Sequence, residues 1–189
     1  MLSKPELRRQ ILAKRDALSP EERHTKSLAI AAHGASALAP LAPRRWFAAY
    51  HPIRSEADVS LLAKLLEQAG ARLALPAVID RETIAFRAYL SDVPLVSCGF
   101  GTMAPGEDAD IVIPDILLMP LSVFDSKGNR IGYGAGHYDR AIARMAAAGR
   151  RPLLVAVAFA LQEAPAVPAE PHDIPLDAVI TEAGFRWFE

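Results

Sequence analysis

Apolar positions along this chain recur with two different periods. Residues 4–18 place Leu7, Ile11, Leu12 and Leu18 on one side, the spacing of an amphipathic helix. Ser19-Pro20-Glu21-Glu22 opens a second helix. Ser19 suits the cap, Pro20 the first helical position, and Glu22 completes a capping box. The helix runs to about Leu38, where Pro40 and Pro43 end it. Trp46 to Tyr50 reads as a buried strand. Ser55 is placed to cap a helix from Glu56 to Ala69, with Leu61, Leu62, Leu65 and Leu66 as its apolar stripe and Gly70 as its stop. Arg72 to Leu75 is the next strand. From Ile84 to Leu90 the period falls to two, with Ile84, Phe86 and Ala88 on one face, which predicts a partly exposed strand at a sheet edge.

Residues 91–110 are rich in Gly, Pro and Asp and read as a long loop, a feature that in compact domains is often functional. Ile116 to Met119, Leu153 to Phe159 and Ala178 to Thr181 are short buried strands. His137 to Ala148 is a helix closed by Gly149. Pro165, Pro168, Pro171 and Pro175 make 160–175 a stiff, irregular loop. Strands alternating with helices predict an α/β fold with three layers, a central, mostly parallel sheet flanked by helices. In such sheets ligands gather at the carboxyl ends of strands, so the loops after Tyr50, Met119 and Phe159 are expected to meet at one site.

Composition narrows the picture. A chain of 189 residues, 51% hydrophobic, buries one core, and with no internal repeat or boundary it is read as a single domain over 1–189. A formal net charge of -1 argues against general nucleic-acid binding. Cys98 is the only cysteine, which excludes an internal disulfide and fits a reducing cytosol. The opening residues lack the apolar segment of a signal peptide, and the longest apolar run, Leu153 to Leu161, falls well short of the roughly 20 residues of a membrane-spanning helix. The expectation is a cytoplasmic protein without a membrane partner; at this size a monomer is the default.

The richest chemistry lies in Arg130-Ile131-Gly132-Tyr133-Gly134-Ala135-Gly136-His137-Tyr138-Asp139-Arg140. Alternating glycines allow tight bends and close approach of a ligand. The helix that follows offers free N–H groups and a positive dipole end, which suits phosphate. The run lacks the Gly-Lys-Ser/Thr of a P-loop and the spacing of a dinucleotide fingerprint, and Phe159-Ala160 ends the next strand without the acid such a fingerprint needs. Asp139 has two readings: a helix-dipole carboxylate, worth about 0.3–1 kcal/mol, or a metal ligand if a second acid, Asp173, converges on it. Lys4 and Arg8, four apart on one helix face, read either as a solvated basic face or as a pair aimed at polyphosphate. Glu56 either favours a helix dipole or presents a carboxylate to a heterocycle with adjacent N–H donors; His51 is equally open. Zinc is disfavoured, since Cys98 stands alone and the histidines lack ligand spacing.

Taken together the motifs resemble the 5-formyltetrahydrofolate cyclo-ligases, also called methenyltetrahydrofolate synthetases. Lys4-Pro5-Glu6-Leu7-Arg8, Ser19 to Arg23, Tyr50 to Asp58 and Pro105-Gly106-Glu107 are similar to family segments. The long stretch from Met119-Pro120 to Arg140 matches M-P followed by F-D-x-x-G-x-R-x-G-x-G-x-G-x-Y-D. The resemblance implies an α/β fold and ATP-dependent cyclisation of 5-formyltetrahydrofolate to 5,10-methenyltetrahydrofolate, with ADP and phosphate released. It implies that Lys4 and Arg8 meet ATP phosphates, that Arg130 to Tyr138 wrap the nucleotide, and that Asp139 and Asp173 bind Mg²⁺. It further implies that His51, Glu56 and Phe100 contact the folate, Glu56 at the pterin's amino edge. Many members carry Lys in place of Ala135 and Tyr in place of His137, so here the phosphate charge falls on Arg130, Lys4 and Arg8. Other readings of the same motifs are a non-catalytic folate or nucleotide module and a sugar-phosphate isomerase or CoA-transferase-like enzyme.

Overall fold

The computed structural model describes residues 2–90, 93–99, 101–170 and 173–189. In chain order the elements are α1 (Lys4–Asp16), α2 (Pro20–Leu38), β1 (Trp46–Ala48), α3 (Ser60–Gln68), β2 (Arg72–Val78), β3 (Ile84–Tyr89), β4 (Val96–Ser97), β5 (Met103–Ala104), β6 (Ile111–Val112), β7 (Ile116–Pro120), β8 (Val123–Phe124), β9 (Arg130–Ile131), α4 (His137–Ala147), β10 (Leu153–Val157), β11 (Ala178–Thr181) and β12 (Gly184–Trp187). Single turns of 3₁₀ helix cover Ala39–Leu41 and Ala160–Gln162.

An eight-stranded sheet runs β12-β11-β10-β7-β1-β2-β3-β6. Its middle is parallel, from β11 through β10, β7 and β1 to β2, while β12, β3 and β6 join antiparallel at the two ends. The expected α/β, mostly parallel sheet is therefore present. Alternate residues fill two layers. Phe47, Leu73, Ile116, Leu118, Val155 and Ile180 pack beneath α2 and α3, with Ile30, Leu62 and Leu66. Ala48, Leu117, Met119, Leu154 and Ala156 pack beneath α4, with Ala141, Ile142 and Met145. Leu118, fully buried, contributes about 1.5–3 kcal/mol by leaving water.

A third, smaller cluster fixes the site. Leu7 and Ile11 of α1 pack on Val123, Ile131, Ala164 and Val167. The apolar stripe of α1 thus sits on the β8–β9 hairpin, directly before the glycine run. The hairpin turn is organised by the buried Asp125 carboxylate. It accepts from the Lys127 and Asn129 amides at 2.9 and 3.0 Å and from the Val167 amide at 3.0 Å.

Local signals were read correctly at α2: the Glu22 amide donates to Ser19 Oγ at 3.1 Å and the Ser19 amide to Glu22 Oε2 at 2.7 Å. Several features differ from expectation, and β3 is not the edge strand, because β6 pairs along its outer side. First, α3 starts at Ser60, and Glu56 is outside it. Ser55 cannot cap because its hydroxyl donates to Asp16 and accepts from Arg15. The Asp58 carboxylate instead takes the Ser60 amide at 2.8 Å, at the start of the observed helix. Second, β2 runs on through Pro76 to Val78. Pro76 lies beyond Ala74, the last residue paired with β1, so its missing N–H leaves no gap in that ladder. Third, 91–110 contains the β4–β5 hairpin, and β12 follows β11 unforeseen, its short Gly-Phe-Arg-Trp strand leaving Arg186 and Trp187 exposed.

Candidate active site

At the carboxyl ends of β1, β2 and β7 lies a cavity of about 920 Å³. Every site residue expected from the sequence lines it except Phe100, which lies outside the described residues. Lys4, Arg8 and Leu12 come from α1; Tyr50, His51, Ile53, Arg54 and Glu56 from the loop after β1; Arg130 to Asp139 from β9, the glycine loop and the start of α4; Asp173 from the loop before β11. Pro76, Val78, Ile84, Met103 and Met119 supply apolar walls.

The glycine-loop side is densely charged. Lys4 Nζ lies 2.7 Å from Asp173 Oδ2 and 3.3 Å from Glu170 Oε1. The hydrogen bond to Asp173 holds the ammonium above its ordinary pKa. Arg8 Nε donates to Gly132 O at 2.8 Å, fastening α1 to the loop. The nearly buried Arg130 side chain donates to the Ile174 carbonyl and pairs with Asp139. Gly134 (φ 99°) and Gly136 (φ 67°) occupy left-handed backbone, which β-carbons disfavour. Gly136 caps α4, whose first turn carries Asp139. That end of α4 is latched to the β2–β3 turn: the His137 ring lies 2.9 Å from Arg81 O, and Arg140 donates to Glu82 O at 2.7 Å.

Around Tyr133 of the same loop the polar groups are buried and hydrogen-bonded to one another. Glu56 is 8% exposed. Its Oε2 accepts from the Ile53 amide at 2.9 Å, and it also accepts from the Tyr133 hydroxyl. Burial raises its pKa, and those hydrogen bonds together with the Arg15 charge oppose the rise. Arg15, 2% exposed, donates to Tyr133 Oη at 2.7 Å and to Ser55 Oγ at 3.0 Å. Tyr133 and Tyr138 are pushed above the ordinary phenol range by burial and then by Glu56, so both present neutral hydroxyls. Sequence reasoning missed Arg15 and the tie it makes to Ser55. A signal existed: Arg15 lies four residues after Ile11, on the buried stripe of α1, where a cation is out of place.

Among the described residues no three His, Cys, Asp or Glu side chains converge as a metal cage. Asp139 and Asp173 both face the cavity, each beside a cation. Two carboxylates without a third ligand suit a hard divalent ion that completes its shell with phosphate and water. Among the described residues no helix is long and apolar enough to cross a membrane.

The chain is similar in sequence and fold to known proteins. The 5-formyltetrahydrofolate cyclo-ligase family profile matches residues 1–182. The 5-formyltetrahydrofolate cyclo-ligase of Escherichia coli is 30% identical over 177 residues, covering 90% of this chain and 96% of its own. The Haemophilus influenzae cyclo-ligase is 32% identical over 68% of this chain and 71% of its own. Among solved structures, Aquifex aeolicus 5,10-methenyltetrahydrofolate synthetase superposes with TM-score 0.79 at 31% identity, covering 98% of this chain and 93% of its own. The Mycoplasma pneumoniae synthetase superposes with TM-score 0.78 at 26% identity, covering 96% and 99%. With a profile match over nearly its whole length and relatives that share both sequence and fold end to end, the chain belongs to the 5-formyltetrahydrofolate cyclo-ligase family.

Proposed function

We propose that the protein converts 5-formyltetrahydrofolate and ATP into 5,10-methenyltetrahydrofolate, ADP and phosphate, in the cytoplasm and as a monomer. One observation carries the reading. Charges remote in sequence (Lys4, Arg8, Arg130, Asp139, Asp173) line a single cavity with the glycine loop, together with a buried carboxylate, Glu56, suited to a heterocycle with adjacent N–H donors.

The chemistry needs a better leaving group. The formyl oxygen at N5 attacks the γ-phosphorus of ATP, and the bond to ADP breaks. The formyl carbon is then bound to phosphate and is electrophilic. N10 attacks it and loses its proton. The C–O bond breaks, its electrons leave with phosphate, and the five-membered methenyl ring closes. Such transfers are catalysed mainly by positioning and charge neutralisation. Lys4, Arg8 and Arg130 face the phosphates. The loop glycines let backbone amides approach them. Glu56 grips the pterin edge, with His51 beside it. Asp139 and Asp173 are placed to hold Mg²⁺, which when bound neutralises phosphate charge. Met103, Met119 and Val78 exclude water from the reacting carbon.

The test is an assay of purified protein with 5-formyltetrahydrofolate and Mg²⁺, followed by the methenyl absorbance. The signal is expected to grow only when ATP is added, with ADP formed in equal amount. Tight binding of both ligands without product would identify a binding module; product without ATP would identify a different enzyme class.

A further inference from the structure

The mechanism above has no task for Arg15, although a buried guanidinium is costly unless it is fully paired. Its partners come from separate elements. One is Tyr133, in the middle of the glycine loop; the other is Ser55, next to Glu56. Ser55 in turn donates to Asp16, the neighbour of Arg15 on α1. The Tyr133 hydroxyl accepts from Arg15 and gives its own proton to Glu56. The guanidinium also lies 5.7 Å from the centre of the Tyr133 ring. Tyr133 is the half-buried peg in an otherwise exposed loop: Gly132, Gly134 and Ala135 beside it face solvent.

We propose that Arg15 is a positioning residue that couples the two halves of the cavity, so that a ligand on the glycine loop and a ligand on Glu56 strengthen each other's binding. This rests on the functional reading given above, in which the first ligand is a nucleoside triphosphate and the second a reduced folate. Gly134 and Gly136 occupy left-handed backbone that gives the loop alternative paths; in this proposal a bound nucleotide selects one of them. Ordering the loop fixes Tyr133, and Tyr133 fixes the Glu56 carboxylate through a hydrogen bond that Arg15 aligns. A folate arriving second meets a carboxylate already in place and loses less conformational entropy. By reciprocity, folate improves nucleotide binding by the same factor. Arg15 touches neither ligand; it acts through Tyr133 and Ser55.

The experiment measures the dissociation constant of 5-formyltetrahydrofolate with and without a saturating non-hydrolysable ATP analogue and Mg²⁺. Wild type is expected to bind the folate about fivefold more tightly, or better, when the analogue is present. Arg15→Met is expected to bring that ratio close to one. Its melting temperature is recorded alongside, since a purely structural residue would lower melting and leave the ratio unchanged. Tyr133→Phe keeps the ring under the guanidinium and removes only the hydroxyl; it is expected to lose the ratio as well, and it decides the matter if Arg15→Met does not fold. A wild-type ratio of one, or a ratio retained in Tyr133→Phe or in folded Arg15→Met, overturns the coupling. A wild type that binds neither ligand overturns the functional reading itself, which the same titrations show separately.

Discussion

On the glycine-loop side of the cavity, the carboxylates of the Lys4–Asp173 and Arg130–Asp139 pairs are 26% and 47% exposed. Around Tyr133 of the same loop, Glu56 and Arg15 are 8% and 2% exposed. The two sides hold charge under different rules. The partly exposed Lys4–Asp173 pair contributes little to stability and is cheap to open, while the nearly buried Arg130 keeps the Ile174 carbonyl as a partner when Asp139 is released. On the proposed reading, a polyphosphate with its divalent ion takes each partner separately, cations to phosphate and carboxylates to metal. A buried network is expensive to break where a charge is left without its hydrogen-bond partners. The difference teaches a division of labour that follows from the proposed function: the partly exposed pairs exchange for the co-substrate, and the buried network holds Glu56 for the substrate.

The sharpest way to break this comparison is Asp139→Asn. The exposed carboxylate leaves the fold nearly untouched, so melting is expected to move only slightly. Turnover is expected to fall by about 10²–10³, the usual scale for losing one group that stabilises transition-state charge. Turnover equal to wild type at saturating Mg²⁺ would remove Asp139 from the metal and return it to the helix-dipole role.

Glu56→Gln tests the template side and has an effect of opposite sign on stability. The carboxyl has a raised pKa because burial penalises its charge. The folded protein therefore binds more protons here than the unfolded chain between the unfolded value and the raised one, and stability falls as pH rises through that window. The difference in stability between Glu56→Gln and wild type is expected to grow in favour of the variant over that window and to vanish below it; urea titrations across pH read it directly. At the same time the KM for 5-formyltetrahydrofolate is expected to rise about 10–100-fold, the value of a charge-assisted hydrogen bond. A variant both less stable at neutral pH and normal in KM would mean that Glu56 serves the fold alone.

What the chain disclosed before its structure follows the same division. That the glycine loop, Lys4, Arg8, Asp139 and Asp173 share one cavity was legible chiefly because a long motif ties them to a family; residue type and spacing alone left Lys4, Arg8 and Asp139 open to ordinary explanations. The α2 capping box was legible because its partners are three residues apart. The template side was not. Ser55 looks like a cap by spacing, yet its partners are Arg15 and Asp16, some forty positions earlier, so a tertiary contact overrode a local rule. Glu56 was identified, but as the start of a helix that begins only at Ser60. The joining of Arg15 to Tyr133 spans 118 positions and leaves no periodicity to find. The β8–β9 hairpin, set by Asp125, was hidden for the related reason that two-residue strands carry no period.

Lys4→Met is the milder test of the exchangeable side. Removing the ammonium is expected to raise the KM for ATP about tenfold, with kcat and the KM for folate nearly unchanged, and to cost under about 1 kcal/mol of stability. Added salt is expected to weaken ATP binding to wild type more than to the variant, because one screened contact is already gone. A variant whose folate KM moves as much as its ATP KM would blur the boundary between the two sides.

The smallest effect gives the finest test of where the nucleotide lies. Gly134 and Gly136 are poor probes, because φ of 99° and 67° strains any β-carbon whether or not a ligand is near. Gly132 is different. Its φ is not in the left-handed range, and a β-carbon placed on it meets nothing within 4 Å. Its carbonyl still accepts from Arg8, and alanine leaves that bond intact. Gly132→Ala is therefore expected to keep its stability or gain about 0.4–1 kcal/mol from a stiffer unfolded chain. Any loss of ATP affinity in this variant arises from the ligand meeting the new methyl group and not from strain in the protein. A few-fold rise in the KM for ATP with an unchanged KM for folate places the phosphates against this backbone; no change at all would move the close approach on to Gly134 and the α4 N-terminus.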